Sequence, residues 1–270
     1  IFGGADAPID EYLRDWGFSD SYRDNFVAPF YGGITLDRSL ATSKRVFEYT
    51  FKAMSEGLIA LPAAGMAAVP AQLAERARDG GATVETERRT ADVDAAVVAT
   101  DPRTAKRLTG VASIPTAARP SVTAYFSLPG GPPLDDARKI HLNAADDRPN
   151  AVVPLSAVAS SYAPDDRRLL CATFLGEDAL DVPDADLLDA TRDALAAWYP
   201  ERRFAALEHV HTDRIEFAQF AQPPGVHDDL PDTHDPNGAV YLAGDYTAWS
   251  SIQGAMRSGR EAATAVLADL

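Results

Sequence analysis

Residues 241–263 read "YLAGDYTAWSSIQGAMRSGREAA". A short apolar run stops at Gly244-Asp245, a loop of small and aromatic residues follows, and from Ile252 small residues recur at helical spacing. Apolar strand, tight turn and helix in that order put a helix amino terminus at the end of a strand. Such an end presents free backbone N–H groups and the positive pole of the helix, a setting that stabilises negative charge. Gly254 and Gly259 remove side chains where a flat ring or a neighbouring backbone must approach closely. Read locally, Gly244-Asp245 also suits an ordinary strand exit, and the glycines suit simple helix packing. The rest of the chain decides between these.

The same strand-helix rhythm occurs once more, at residues 58–110. There "LIALP" predicts a strand, "AAGMAAVPAQLAERARDGG" a turn and helix, "ATVET" a strand, and "DAAVVATDPRTAKRLTG" a strand followed by a helix. This pattern signals an α/β layer. From about residue 119 the texture changes: "SVTAYFSL", "NAVVPL", "RLLCATFLG" and "FAALEHVHTDRIE" predict a mostly antiparallel sheet, interrupted by one helix, "ADLLDATRDALAAWYP". Ahead of residue 58, "PIDEYLRDWG", "SDSYRDNFVAPFYGG" and "SKRVFEYTFKAMSEG" predict helices. Tyr22, Phe26 and Phe30 recur four apart, as do Phe47 and Phe51. Such stripes face a core or line an apolar cavity.

Charge narrows the partners. Asp and Glu number 40 against 25 Lys and Arg, a formal net charge of -15, which argues against nucleic acid or an anionic membrane as partner. Asp far outnumbers Glu, and lysine is confined to Lys44, Lys52, Lys106 and Lys139. Acidity of this kind is expected of a halophilic protein, whose carboxylate surface needs salt to screen its self-repulsion. High-GC codon usage also favours Arg over Lys but does not itself supply the net charge. The melting temperature is therefore expected to climb from low salt to molar KCl; a flat profile would dismiss the idea. Cys171 is the only cysteine, so no intrachain disulfide forms and a reducing, cytoplasmic setting is expected. No apolar run is long enough to span a bilayer. The chain opens at Ile1 without a methionine and is expected to be a piece of something longer.

Three segments carry a family resemblance: the closing "YLAGDYTAWSSIQGAMRSGREAA", the central "LPAAGMAAVPAQLAERARDGGATVE" with its later "AAVVATDP", and "FAQFAQPPG". Together they resemble the flavin-containing amine oxidoreductases, the superfamily of phytoene desaturases, protoporphyrinogen oxidases and amine oxidases. "YRDNFVAPFYGGITLDRSLATS" is similar to the helical part of that family's substrate domain. The resemblance implies an α/β plus α+β fold, in which a partial FAD-binding, Rossmann-like domain is interleaved with a substrate domain of helices and a mostly antiparallel sheet. It assigns residues 1–57 and 112–237 to the substrate domain and 58–111 and 238–270 to the FAD-binding domain. It implies that Asp245, beside Gly244, accepts hydrogen bonds from the flavin's ribityl hydroxyls. The backbone of Ile252, Gln253 and Gly254 would then face the ring, with Gly244, Ser251 and Ala255 also among the cofactor-binding residues. Gly65 and Met66 would lie near the cofactor, as would Ala99 and Thr100 at the end of their strand. Tyr246 and Trp249 are candidates for lining the substrate cavity.

The implied activity is removal of a hydride from a substrate C–H bond to flavin N5, with FAD as cofactor and a small apolar or aromatic molecule as substrate. Such chemistry obliges no general base, and none is nominated. Three departures qualify the match. A Gly-x-Gly-x-x-Gly turn for the diphosphate is missing and is expected ahead of Ile1; only "ERRTADVD" links "ATVET" to "AAVVATDP", which leaves an adenine contact near Thr90 open. Ser251 stands where amine oxidases place an aromatic residue, which argues against a simple amine substrate. The missing turn also keeps open a carrier or interaction protein that retains the scaffold without flavin. Among other constellations, His209 and His211 are two apart on a predicted strand and so expected on one face, while His227 and His234 sit in an acid-rich loop. Hydrogen-bonded surface histidines explain them better than a metal site, and no metal is expected. Cys171, inside an apolar strand, is expected to be inert.

Overall fold

The computed structural model describes residues 4–87, 93–130, 134, 138–145 and 148–270; the position proposed for an adenine contact, Thr90, lies outside them. Helices come first: α1 (Ile9–Asp15), α2 (Asp20–Tyr22), a π-wound turn over Arg23–Val27, α3 (Ala28–Thr35) and α4 (Lys44–Glu56). Serines start two of them, Ser19 Oγ accepting from the Tyr22 N–H and Ser43 Oγ from the Arg45 N–H. Their inward faces close on a core of Ile9, Leu13, Val27, Tyr31 and Leu40.

After α5 (Ala68–Asp79) come β1 (Ala96–Val98) and α6 (Pro102–Thr109). Asp101 caps α6, and the Thr104 N–H at 3.0 Å holds its carboxylate below the usual pKa. The chain then builds β2 (Ala118–Pro129), β3 (His141–Leu142), β4 (Ala151–Val153), α7 (Leu155–Val158), β5 (Arg167–Leu175), α8 (Asp184–Trp198) and β6 (Glu208–Phe220). The sheet order is β3-β4-β5-β2-β6, every neighbouring pair antiparallel. Period-two alternation turns Val122, Ala124 and Phe126 of β2, with Leu170, Ala172 and Phe174 of β5, onto one buried face, where Leu187 and Leu195 of α8 complete the core. Each large side chain buried this way stabilises the fold by about 1.5–3 kcal/mol.

β7 (Val240–Leu242) and α9 (Ile252–Asp269) end the chain. β7 pairs in parallel with β1, Val98 beside Leu242, so segments on either side of the antiparallel sheet share one small sheet. The architecture is the expected one, a partial Rossmann-like layer interleaved with helices and an antiparallel sheet.

Three local expectations are corrected. "LIALP" and "ATVET" are irregular rather than strands, because neither finds a sheet partner: Leu58 is 99% and Ile59 81% exposed. His209 and His211 do not share a face. A bulge in β6 pairs His211 with Tyr125 but His209 with Phe126, the next residue of β2, so the two rings point to opposite sides. His209 then bonds Thr212 at 2.7 Å and His211 bonds Asp213 at 3.1 Å. Among the described residues no three His, Cys, Asp or Glu side chains group as a metal site requires. Burial pushes the Cys171 thiol up to about 11, far from the thiolate form that reacts.

Candidate functional site

Because β1 and β7 run parallel, both leave the sheet on one side, and the Ala243 N–H donates to the Val98 carbonyl at 3.0 Å across the last pair. Ala99 and Thr100 therefore exit beside Gly244 and Asp245, and α9 starts at that same edge. Open parallel sheets hold ligands in the crevice beyond the carboxyl ends of their strands.

The turn from β7 into α9 is packed from within. Tyr246 is 1% exposed and its hydroxyl donates to the Ala243 carbonyl at 3.2 Å. It belongs to a core with Ala105, Ile114, Phe220 and Leu242, and burial pushes its pKa up to about 12. Tyr246 is thus a core residue and does not line a substrate cavity. Its ring also explains Gly244, where a Cβ would stand 2.1 Å from the Tyr246 ring. Gly254 answers to backbone: a Cβ there would lie 1.8 Å from the Trp249 carbonyl oxygen. Gly259, by contrast, faces open space.

Ser251 caps α9. Its Oγ accepts the Gly254 N–H at 2.9 Å and its carbonyl the Ala255 N–H at 3.0 Å, which leaves the N–H groups of Ile252 and Gln253 as first-turn donors ahead of the ladder. The half-buried Asp245 carboxylate takes a hydrogen bond from Ser250 Oγ at 3.1 Å. Burial raises its pKa, opposed by that bond and by backbone N–H groups.

Two clefts, each of about 440 Å³, flank the first turn of α9. In one, Asp245, Ser250, Ser251, Ile252 and Ala255 face Ile34 and Leu36 from the end of α3 and Gln219 from β6. Leu36 is left-handed there, with φ 56°, and Gln219 Nε2 donates to the Ile34 carbonyl at 3.0 Å. In the other, Gln253 and Gly254 meet Trp249, whose ring stacks on His227 at 4.2 Å and lies 4.9 Å from Tyr49. Burial drives the His227 pKa down to about 4, so the imidazole is neutral near pH 7; Nε2 pairs with Gln222 Oε1 at 3.2 Å.

Of the residues singled out in sequence, the structure gathers Gly244, Asp245, Ser251, Ile252, Gln253, Gly254 and Ala255 at one turn, with Trp249 beside them and Ala99 and Thr100 at the same sheet edge. Gly65 and Met66 sit in a loop held elsewhere: Ser161 Oγ and Tyr162 Oη each donate, at 2.6 Å, to the carbonyls of Ala63 and Pro62. Sequence reasoning missed Ile34, Leu36, Tyr49 and His227 as cleft residues. Gln219 carried a signal, since "FAQFAQPPG" contains it.

Comparison with known proteins gives four further findings. The family model described as flavin containing amine oxidoreductase matches residues 4–267. An oxidoreductase from Methanosarcina mazei superposes with a TM-score of 0.71 at 13% identity, over 97% of this chain and 69% of its own. A protein assigned as a protoporphyrinogen oxidase, from Exiguobacterium sp. 255-15, gives 0.73 at 14% identity, over 100% of this chain and 69% of its own. At such identities these likenesses establish the fold. No curated protein matches in sequence.

Proposed function

This chain belongs to the flavin-containing amine oxidoreductase family, whose cofactor is FAD, and on that premise we propose that it oxidises a C–H bond of a small apolar substrate. The observation that carries the proposal is the cleft at Asp245. A half-buried carboxylate and the first-turn N–H groups of α9 stand side by side there, an acceptor for sugar-like hydroxyls beside donors for a negatively charged ring edge. That donor and acceptor set fits a flavin. Asp245 would hold the ribityl chain, the Ile252 and Gln253 N–H groups the ring edge, and Gly254 would keep the turn tight enough for both. Bound flavin supplies the hydride acceptor. The protein's part is to orient the substrate and exclude water, for which Ile34 and Leu36 offer an apolar wall.

The cap made by Ser251 also bears on substrate choice. Its hydroxyl caps the Gly254 N–H and this position adds no aromatic wall, while Trp249 lines the neighbouring cleft. We assign Trp249 to substrate contact, residues 1–57 and 112–237 to substrate binding, and 58–111 and 238–270 to the cofactor. The diphosphate turn of the family is not within these 270 residues. The exposed Leu58 and Ile59, and an α5 with no buried residue, support a further strand-turn-helix unit packing on that side. Among the described residues no helix is long and apolar enough to cross a membrane; the lone cysteine supports a cytoplasmic setting.

The chain joined to its diphosphate-binding segment is expected to purify yellow, with visible absorbance that bleaches on reduction by dithionite. A colourless preparation that ignores added FAD would overturn the proposal and leave a carrier on the same scaffold.

A further inference from the structure

The two clefts at α9 are joined through the protein by a chain of side-chain hydrogen bonds. At one end Gln219 of β6 lines the cleft at Asp245, and at the other His227 lines the cleft of Trp249. Between them stands Gln222, 4% exposed. Backbone contacts pin this stretch just past the end of β6: the Ala221 N–H donates to the Ala117 carbonyl at 2.7 Å, and the Gln222 carbonyl accepts the Ser43 N–H at 2.8 Å. The Gln222 side chain therefore leaves from a fixed point.

The chain has a single direction. Gln219 Nε2 donates to the Ile34 carbonyl at 3.0 Å, an oxygen that can only accept, so the other end of this amide, Oε1, is the acceptor for Gln222 Nε2 at 3.4 Å. Gln222 in turn presents Oε1 to His227 Nε2 at 3.2 Å. An acceptor opposite a ring nitrogen places a proton on that nitrogen. The other nitrogen, Nδ1, is buried without a hydrogen-bond partner among the described residues, so a proton there would have no acceptor. Burial pushes the His227 pKa down to about 4, with Arg45 acting in the same sense and Asp6 and Asp228 against it. The ring is neutral near pH 7 and carries its one proton on Nε2. Its face lies on the Trp249 indole, 4.2 Å away and within 14° of parallel.

We propose that Gln222 is a positioning residue for the Trp249 wall: it holds the His227 proton on Nε2, and the imidazole so fixed sets the plane of the indole. The proposal rests on the assignment of Trp249 to substrate contact and adds the device that keeps its ring in place. An imidazole released from Gln222 is free to rotate about its side-chain bonds, and the indole then loses the parallel surface that orients it. Tyr49, 4.9 Å from the same ring but tilted by 47°, touches it without setting its plane. Gln219 is itself tied to α3 through Ile34, so the wall of one cleft is held in register with the wall of the other.

Two measurements test it, neither of which needs flavin. Nitrogen-15 NMR of the histidine-labelled chain, with the His227 signals identified by their loss in His227→Phe, is expected to show Nε2 protonated and Nδ1 bare near pH 7. A proton on Nδ1, or a charged ring at that pH, would overturn the proposal. Acrylamide quenching then reads the indole in a chain whose only tryptophan is Trp249, made by Trp16→Phe and Trp198→Phe. Gln222→Met, which keeps the shape and removes the acceptor, should raise the quenching constant about twofold. His227→Phe stacks without needing an acceptor and should leave the constant at the parent value, and Gln222→Met added to it should change nothing more. An equal rise with and without His227 would make Gln222 a packing residue only, and no rise at all would sink the idea as well. Should Gln222→Met not fold, the tautomer in the parent chain carries the test. A full-length preparation that ignores FAD would end the oxidase reading and leave both of these results to be judged on their own.

Discussion

Gly254→Ala is expected to lower stability by about 3 kcal/mol, while Gly259→Ala, further along the same helix, should raise it by about 0.5–1 kcal/mol. Both are glycines of the same helix. At Gly254 the new methyl would sit 1.8 Å from the Trp249 carbonyl oxygen, a backbone atom of the preceding loop that cannot rotate away. The loop must shift or α9 must start later, and either change uncouples Ser251 from the N–H it caps. At Gly259 nothing lies within 4 Å, so alanine only removes conformational freedom from the unfolded chain. Urea denaturation of the two variants beside the parent measures the contrast. Equal, small effects would mean that the loop and helix do not approach as described.

Asp245→Ala should weaken FAD binding about 10–100-fold with little loss of fold stability. A carboxylate that accepts a hydroxyl hydrogen bond contributes about 1.5–3 kcal/mol, and each 1.4 kcal/mol is about tenfold in affinity. The same carboxylate is itself a burden on the fold, because burial raises its pKa. The native state then holds its proton over a range where the unfolded chain has already released it. Stability contributed at this position therefore falls as pH rises from the unfolded value, about 3.9, through the higher folded value. At neutral pH the variant should melt no lower than the parent, and the decline of stability above pH 4 should be shallower. FAD titration and melting curves between pH 4 and 8 test both parts. A variant that unfolds yet keeps its flavin affinity would reverse the assignment.

Legibility in the sequence followed how local each determinant is. β2, β5 and α8 could be read from periodicity because Val122, Ala124 and Phe126, or Leu187 and Leu195, repeat at the spacing of their own element. "LIALP" and "ATVET" have strand-like composition, but a strand exists only with a neighbour to bond, and composition does not say whether one is there. The histidine pair failed for a related reason: a bulge shifts period by one residue, and nothing in "EHVHTD" announces it. At the candidate site, Gly244, Asp245 and Gly254 were visible as a motif, whereas the reasons for the glycines were not. The Tyr246 ring and the Trp249 carbonyl that dictate them come from the way the turn folds back on itself. Ile34, Leu36, Tyr49 and His227 reach the clefts only through tertiary packing, from segments remote in sequence.

The pairing of β1 with β7 also sets an order of events during synthesis. Val240 must find Ala96 after the whole antiparallel sheet has been made, so this contact carries one of the largest loop-closure costs in the molecule. A chain emerging from the ribosome can assemble β2 through β6 around α8 while β1 still waits for its mate. The turn that ends in Asp245 then forms after the antiparallel sheet, because it follows β7. Premature termination there would release a folded sheet with an unpaired β1 edge, a species primed to aggregate rather than a partly active protein.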